Sequence, residues 1–148
     1  MDCVRNCTDG TDLHSAEVTM EVNPDDVNTR LLASMERAGI NRLSCGIQAI
    51  DSCLLKEVAR RSSVSRVRAA LSLIQHEWKG VFSADMISAL PGQTELSFLA
   101  GLSELVSYQP AHISLYSLVV EEETPLGKKI YSGALSYDFD FADELWIK

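Results

Sequence analysis

From Ala16 onward, short alternating or apolar runs take turns with longer stretches of helical spacing. AEVTMEV alternates as a strand, and Asn23-Pro24-Asp25-Asp26 supplies a turn with an acidic N-cap. VNTRLLASMERAG then reads as a helix closed by Gly39. Asn41 and Arg42 lead into LSCGIQ, an apolar run suited to a parallel strand buried on both faces. Asp51 can cap a short helix in SCLLKEVAR. Ser63 can cap VSRVRAALSLIQHEW, where Val67, Ala70, Leu71 and Ile74 recur at helical spacing before Gly80 ends the helix.

VFSADMIS is the third strand, and LPGQT turns the chain. ELSFLAGLSELVSY follows as a helix whose Leu96, Leu99, Leu102 and Leu105 are expected to form one apolar stripe, with Pro110 marking its stop. HISLYSLV is the fourth strand. The polar, aromatic remainder, broken by Pro125, Gly127 and Gly133, reads as a surface loop leading toward another helix. Strands that alternate with helices specify an α/β fold of about four βα units. They fit an open doubly wound sheet or part of a (β/α)8 barrel, a fold that needs about 250 residues when complete.

With 148 residues, 46% of them hydrophobic and 23% charged, the chain can bury the core of a single domain. An irregular segment over 1–15 and an ordered domain over 16–148 are expected. The net charge of −8 and a pI near 4.8 disfavour nucleic acid and anionic membrane as partners. No apolar run approaches the roughly 20 residues of a membrane span, and MDCVRNCTDG lacks the apolar centre of a signal peptide. The expected location is cytoplasmic. Cys3, Cys7, Cys45 and Cys53 are too sparse for a disulfide scaffold and read as free thiols.

Glu21, Gln48, Asp85 and Val119 stand at or near the C-terminal ends of the four strands. Parallel sheets place ligands on that rim. Three of them also have a plainer use: Glu21 and Asp85 can cap the helices that follow, and Gln48 can satisfy loop backbone groups. GxGxxG, GxxxxGK[ST] and GxSxG are all absent, which removes the usual dinucleotide, P-loop and hydrolase loops. His14, His76 and His112 lack metal or triad spacing and are expected to be structural.

EVTMEVNPDDVNTRLLASMERAGINRLSCGIQAID, DMISALPGQT and HISLYSLVVEEETPLG, in that order, resemble radical S-adenosylmethionine (SAM) proteins of the oxygen-independent coproporphyrinogen III oxidase family, most nearly its haem-chaperone branch. The resemblance implies a partial (β/α) barrel of the radical SAM type. It places Glu21, Gln48, Arg60 and Asp85 at SAM-contacting positions and Val119 near the adenine. Glu21 would then take the ammonium, Arg60 the carboxylate, and Gln48 and Asp85 the ribose hydroxyls. Porphyrin or haem is the implied partner of the intact protein.

The sequence departs from the family pattern in its cluster motif. The [4Fe–4S] cluster of the family needs CxxxCxxC, and here Cys3 and Cys7 are followed by Gly10 where a third thiolate is required. The family's GGGTP segment is absent too, and Ala89 replaces a glycine before Leu90-Pro91. The chain is therefore expected to be a truncated piece, inactive in radical generation by itself. The competing expectation is a non-catalytic nucleotide- or protein-binding module with an open flavodoxin-like sheet.

Overall fold

The computed structural model describes residues 16–57, 62–141 and 145. The expected irregular segment 1–15 and the candidate Arg60 lie outside them. Four strands, β1 (Thr19–Val22), β2 (Arg42–Gln48), β3 (Val81–Ser88) and β4 (His112–Ser117), form one parallel sheet in the order β1-β2-β3-β4. Between them run α1 (Thr29–Ala38), α2 (Ser52–Glu57), α3 (Val64–Glu77) and α4 (Glu95–Ser107), and α5 (Pro125–Tyr131) follows β4. A doubly wound sheet reverses its strand order at a switch point. This sheet never does. With right-handed crossovers, a sequential order sends every connection to the same face, which is the arc of a barrel. The flavodoxin-like expectation fails on that ground.

The two faces of the sheet differ in chemistry. Leu43, Cys45 and Ile47 of β2 and Phe82, Ala84 and Met86 of β3 are buried in one apolar cluster with Leu32 and Met35 of α1, Leu71 and Ile74 of α3, and Leu105 of α4. The intervening positions include Arg42, Ser44, Ser83 and Asp85, so the other face carries a polar row. β2 is buried on both sides as expected, but its inner face is closed by hydrogen-bonded side chains and not by a second helix layer.

Local signals explain most boundaries. Gly39 ends α1 in the left-handed conformation at φ +84, Asp51 Oδ1 accepts from Cys53 and Leu54 N–H, and Ser63 caps α3 through Arg66 N–H. Asn28 caps α1, in place of Asp25 or Asp26, because the Asn23–Asp26 turn is already closed by the Asp26 N–H to the Asn23 carbonyl. α3 stops at Glu77, before Gly80. The expected leucine stripe on α4 is corrected: Leu96 and Leu99 are 80% and 50% exposed, while Phe98, Gly101 and Leu105 face the core. Steps of three residues drift about 60° each around a 3.6-residue helix, so Leu96 and Leu105 fall on opposite sides. α5 occupies part of the segment expected to be loop, with Thr124 as its cap and Pro125 in its first turn.

Ala89 sits just past β3 at φ +57, a left-handed conformation that costs an L-residue about 1–2 kcal/mol. Its replacement by glycine is expected to raise the unfolding free energy by about 0.5–1 kcal/mol, after allowing for the greater freedom of the unfolded chain. Urea denaturation of Ala89→Gly checks this, and a loss of stability would contradict it.

Candidate functional site

At the C-terminal ends of β1, β2 and β3 lies a cavity of about 340 Å³ lined by Glu21, Val22, Asn23, Ser44, Gly46, Gln48 and Asp85. The register explains the convergence, since Glu21 lies beside Ser44 and Gly46 beside Asp85. Glu21, Gln48 and Asp85, singled out from sequence, therefore meet in one place. Val119 does not join them: it lies beyond the end of β4, 76% exposed and away from the cavity lining.

Gln48 reaches the cavity through an irregular backbone. The β2–β3 register shifts between Gly46 and Gln48, Gln48 has φ +66, and the Ala49 N–H donates to the Ile47 carbonyl at 2.9 Å. That is a γ-turn bond around a left-handed residue, a strained arrangement of the kind found at functional sites. Gly46 accommodates it, because a Cβ there would lie 2.9 Å from Gln48 Nε2. The group that closely approaches Gly46 is thus a side-chain amide.

Asp85 is held from the sheet side. Ser44 Oγ donates to Asp85 Oδ2 at 3.0 Å, and Ser83 Oγ lies 3.1 Å from both Ser44 Oγ and the Leu43 carbonyl. Arg42 Nη2 donates to Ser83 Oγ at 3.0 Å, while Nη1 donates to Thr19 Oγ1 at 3.2 Å and lies 3.8 Å from Glu17 Oε1. Sequence reasoning missed Arg42, Ser44 and Ser83. The available signal was polar residues at i and i+2 within otherwise apolar strands.

A more open cavity of about 460 Å³ occupies the opposite end of the sheet, lined by Ala16, Glu17, Asn41, Arg42, Lys79, Gly80 and Val81. His76 Nδ1 lies 2.7 Å from the Ser72 carbonyl, one turn back on α3, in keeping with a structural role. Among the described residues, no three His, Cys, Asp or Glu side chains converge on a metal-sized site. Cys45 is packed in the core, where burial first and the Asp85 charge second push its thiol up to about 12. A cluster ligand must be a thiolate, so Cys45 suits the core and not iron.

That raised value has a sign. The neutral thiol contributes stability that is fully present below the unfolded value near 9 and is lost as pH rises through about 12. Cys45→Ala is therefore expected to lose less stability than the parent between pH 9 and pH 11. Denaturant midpoints at the two pH values read the difference, and parallel pH profiles would contradict it.

No protein-family model matches the chain. Radical S-adenosyl methionine domain-containing protein 1, mitochondrial, of Danio rerio is 38% identical over 133 residues, which is 90% of this chain and 30% of that protein. The heme chaperone HemW of Escherichia coli is 32% identical over 114 residues, 77% of this chain and 30% of that protein. Among solved structures, coproporphyrinogen III oxidase (HemN) of Escherichia coli, described as a radical SAM enzyme, superposes with a TM-score of 0.76 at 23% identity. That match covers 90% of this chain and 31% of HemN, and it supports the fold. The chain spans about 30% of the length of the curated relatives it matches. Sequence and fold agree: the chain belongs to the radical SAM family, among the relatives of heme chaperone HemW and radical SAM domain-containing protein 1.

Proposed function

We propose that the strand-end cavity is the SAM-binding part of a haem- or porphyrin-linked radical SAM protein. The observation that carries this reading is the convergence of Glu21, Gln48 and Asp85 in one cavity at the ends of three consecutive parallel strands. Its volume falls in the usual range for small-molecule sites, about 300–1,000 Å³. The donor and acceptor set fits SAM: Asp85 accepts from ribose hydroxyls, Gln48 can donate and accept beside them, and Glu21 accepts from the ammonium. Arg60 would take the carboxylate and Val119 the adenine, both by resemblance. The acidic chain favours a small cationic ligand over nucleic acid.

Bound beside a [4Fe–4S] cluster, SAM supplies radical chemistry in this family. The donors among the described residues do not fit such a cluster: the Cys45 thiol is held neutral in the core, Cys53 is a single exposed thiol, and no three ligating side chains converge. The role assigned to this chain's own groups is to bind and orient the nucleoside. The names of the sequence relatives favour the haem-chaperone branch over the oxidase, in keeping with EEETPLG after β4. The sequence reading is cytoplasmic, while the vertebrate relatives carry "mitochondrial" in their names. Among the described residues no helix is long and apolar enough to cross a membrane.

Equilibrium dialysis of the chain against labelled SAM tests the reading. Saturable binding at one site is expected. Absence of saturable binding up to millimolar ligand would overturn it.

A further inference from the structure

The inner face of the sheet carries a row of polar side chains that spans from one cavity to the other. Arg42 lines the open cavity at the N-terminal ends of the strands, Ser44 and Asp85 line the one at the C-terminal ends, and Ser83, fully buried, joins them. The steps are short: Arg42 Nη2 to Ser83 Oγ at 3.0 Å, Ser83 Oγ to Ser44 Oγ at 3.1 Å, and Ser44 Oγ to Asp85 Oδ2 at 3.0 Å.

The protons in this row can be counted. A guanidinium only donates, so the Arg42 contact must use a lone pair on Ser83 Oγ. Asp85, when ionised, only accepts, so the Ser44 proton must point to Oδ2. Each serine has one proton, and Ser83 must direct its own either to the Leu43 carbonyl or to Ser44 Oγ, both 3.1 Å away. A guanidinium behind it and a carboxylate ahead polarise the hydroxyls in the same direction, which favours Ser44. Every donor then points from Arg42 toward Asp85.

We infer that Arg42, Ser83 and Ser44 form a one-way hydrogen-bond relay that holds Asp85 as a pure acceptor and thereby sets the specificity of the cavity for a ligand hydroxyl. Ser44 and Ser83 are positioning residues in this scheme, acting through Asp85. Ser44 fixes Oδ2. Among the described residues no other hydrogen bond to this carboxylate is present, so Oδ1 is left to the ligand. A carboxylate committed as an acceptor rewards a hydroxyl and leaves a deoxy analogue with an unsatisfied anion, the kind of contact that discriminates strongly. Glu17 and Thr19 extend the relay at its start by orienting Arg42.

The inference rests on the nucleoside reading of the cavity and can fail separately from it. The test titrates the full chain with adenosine, 2′-deoxyadenosine and 3′-deoxyadenosine, each followed by amide chemical shifts. The parent chain is expected to prefer adenosine over at least one deoxy analogue by about tenfold, the value of one hydrogen bond to a charged group. Ser44→Ala and Ser83→Ala should reduce that preference to about twofold, what is left to a carboxylate present but unaimed. Ser44→Thr, which keeps the hydroxyl, should restore it, and Asp85→Asn should abolish it. If Asp85→Asn abolishes the preference and both alanine variants keep it, the relay is refuted and the site reading stands. Equal weakening of all three nucleosides in the alanine variants would reduce the serines to structural parts and also refute the relay. A parent chain that binds none of the three would overturn both.

Discussion

Asp85→Ala is expected to weaken SAM binding about a hundredfold while lowering the unfolding free energy by no more than about 1 kcal/mol. The binding figure follows from two ribose hydroxyls sharing one carboxylate, at about 1.5 kcal/mol for each bond to a charged group. The stability figure follows from the part-buried position of Asp85 and its hydrogen bond from Ser44, whose hydroxyl would lose one partner. Dialysis against labelled SAM reads the first effect and thermal denaturation the second. The reverse pattern, affinity retained with a fall in melting temperature above about 10 °C, would make Asp85 a structural residue of β3.

Gly80→Ala is expected to cost about 3 kcal/mol. A Cβ at this position would lie 2.4 Å from the Asn41 carbonyl oxygen and 2.9 Å from both the Asn41 carbonyl carbon and Trp78 Cζ2. Backbone cannot swing aside as a side chain can. Asn41 is also a joint of the sheet: its carbonyl accepts from Val81 N–H at 2.8 Å, its Oδ1 accepts from Val18 N–H, and its Nδ2 donates to the Ala16 carbonyl. Displacing it disturbs β1, β2 and β3 at their starts. Overpacking alone costs about 1–3 kcal/mol, and the strained strand pairing places the total at the upper end. Urea denaturation would show the loss, and a cost below about 1 kcal/mol would mean the backbone yields without breaking these bonds.

The strands were legible because each carries an alternating or apolar run between clear stops, and helix ends were legible wherever a residue has one local purpose, as at Gly39, Asp51 and Ser63. Legibility failed where two signals overlapped. Pro125 and Gly127 look like loop residues until Thr124 is seen to cap a helix, within which Gly127 packs against the Glu121 backbone. The leucines of α4 share a spacing, but a three-residue step rotates away from the core, and Phe98 faces inward instead.

Glu21, Gln48 and Asp85 could be singled out because strand ends share a rim, and the structure brings the three into one cavity. Ser44 and Ser83 could not be, since a single small polar residue inside a strand carries no signature until register sets it beside a carboxylate. The left-handed turn at Gln48 was equally invisible, because glutamine does not advertise a positive φ.

The most direct test of SAM binding at this rim is an amide chemical-shift map of the isotope-labelled chain on addition of SAM. Shifts concentrated at Glu21, Ser44 through Gln48 and Asp85 are expected. Shifts centred on Asn41, Lys79 and Gly80 at the opposite end of the sheet, or none at saturating ligand, would contradict the assignment.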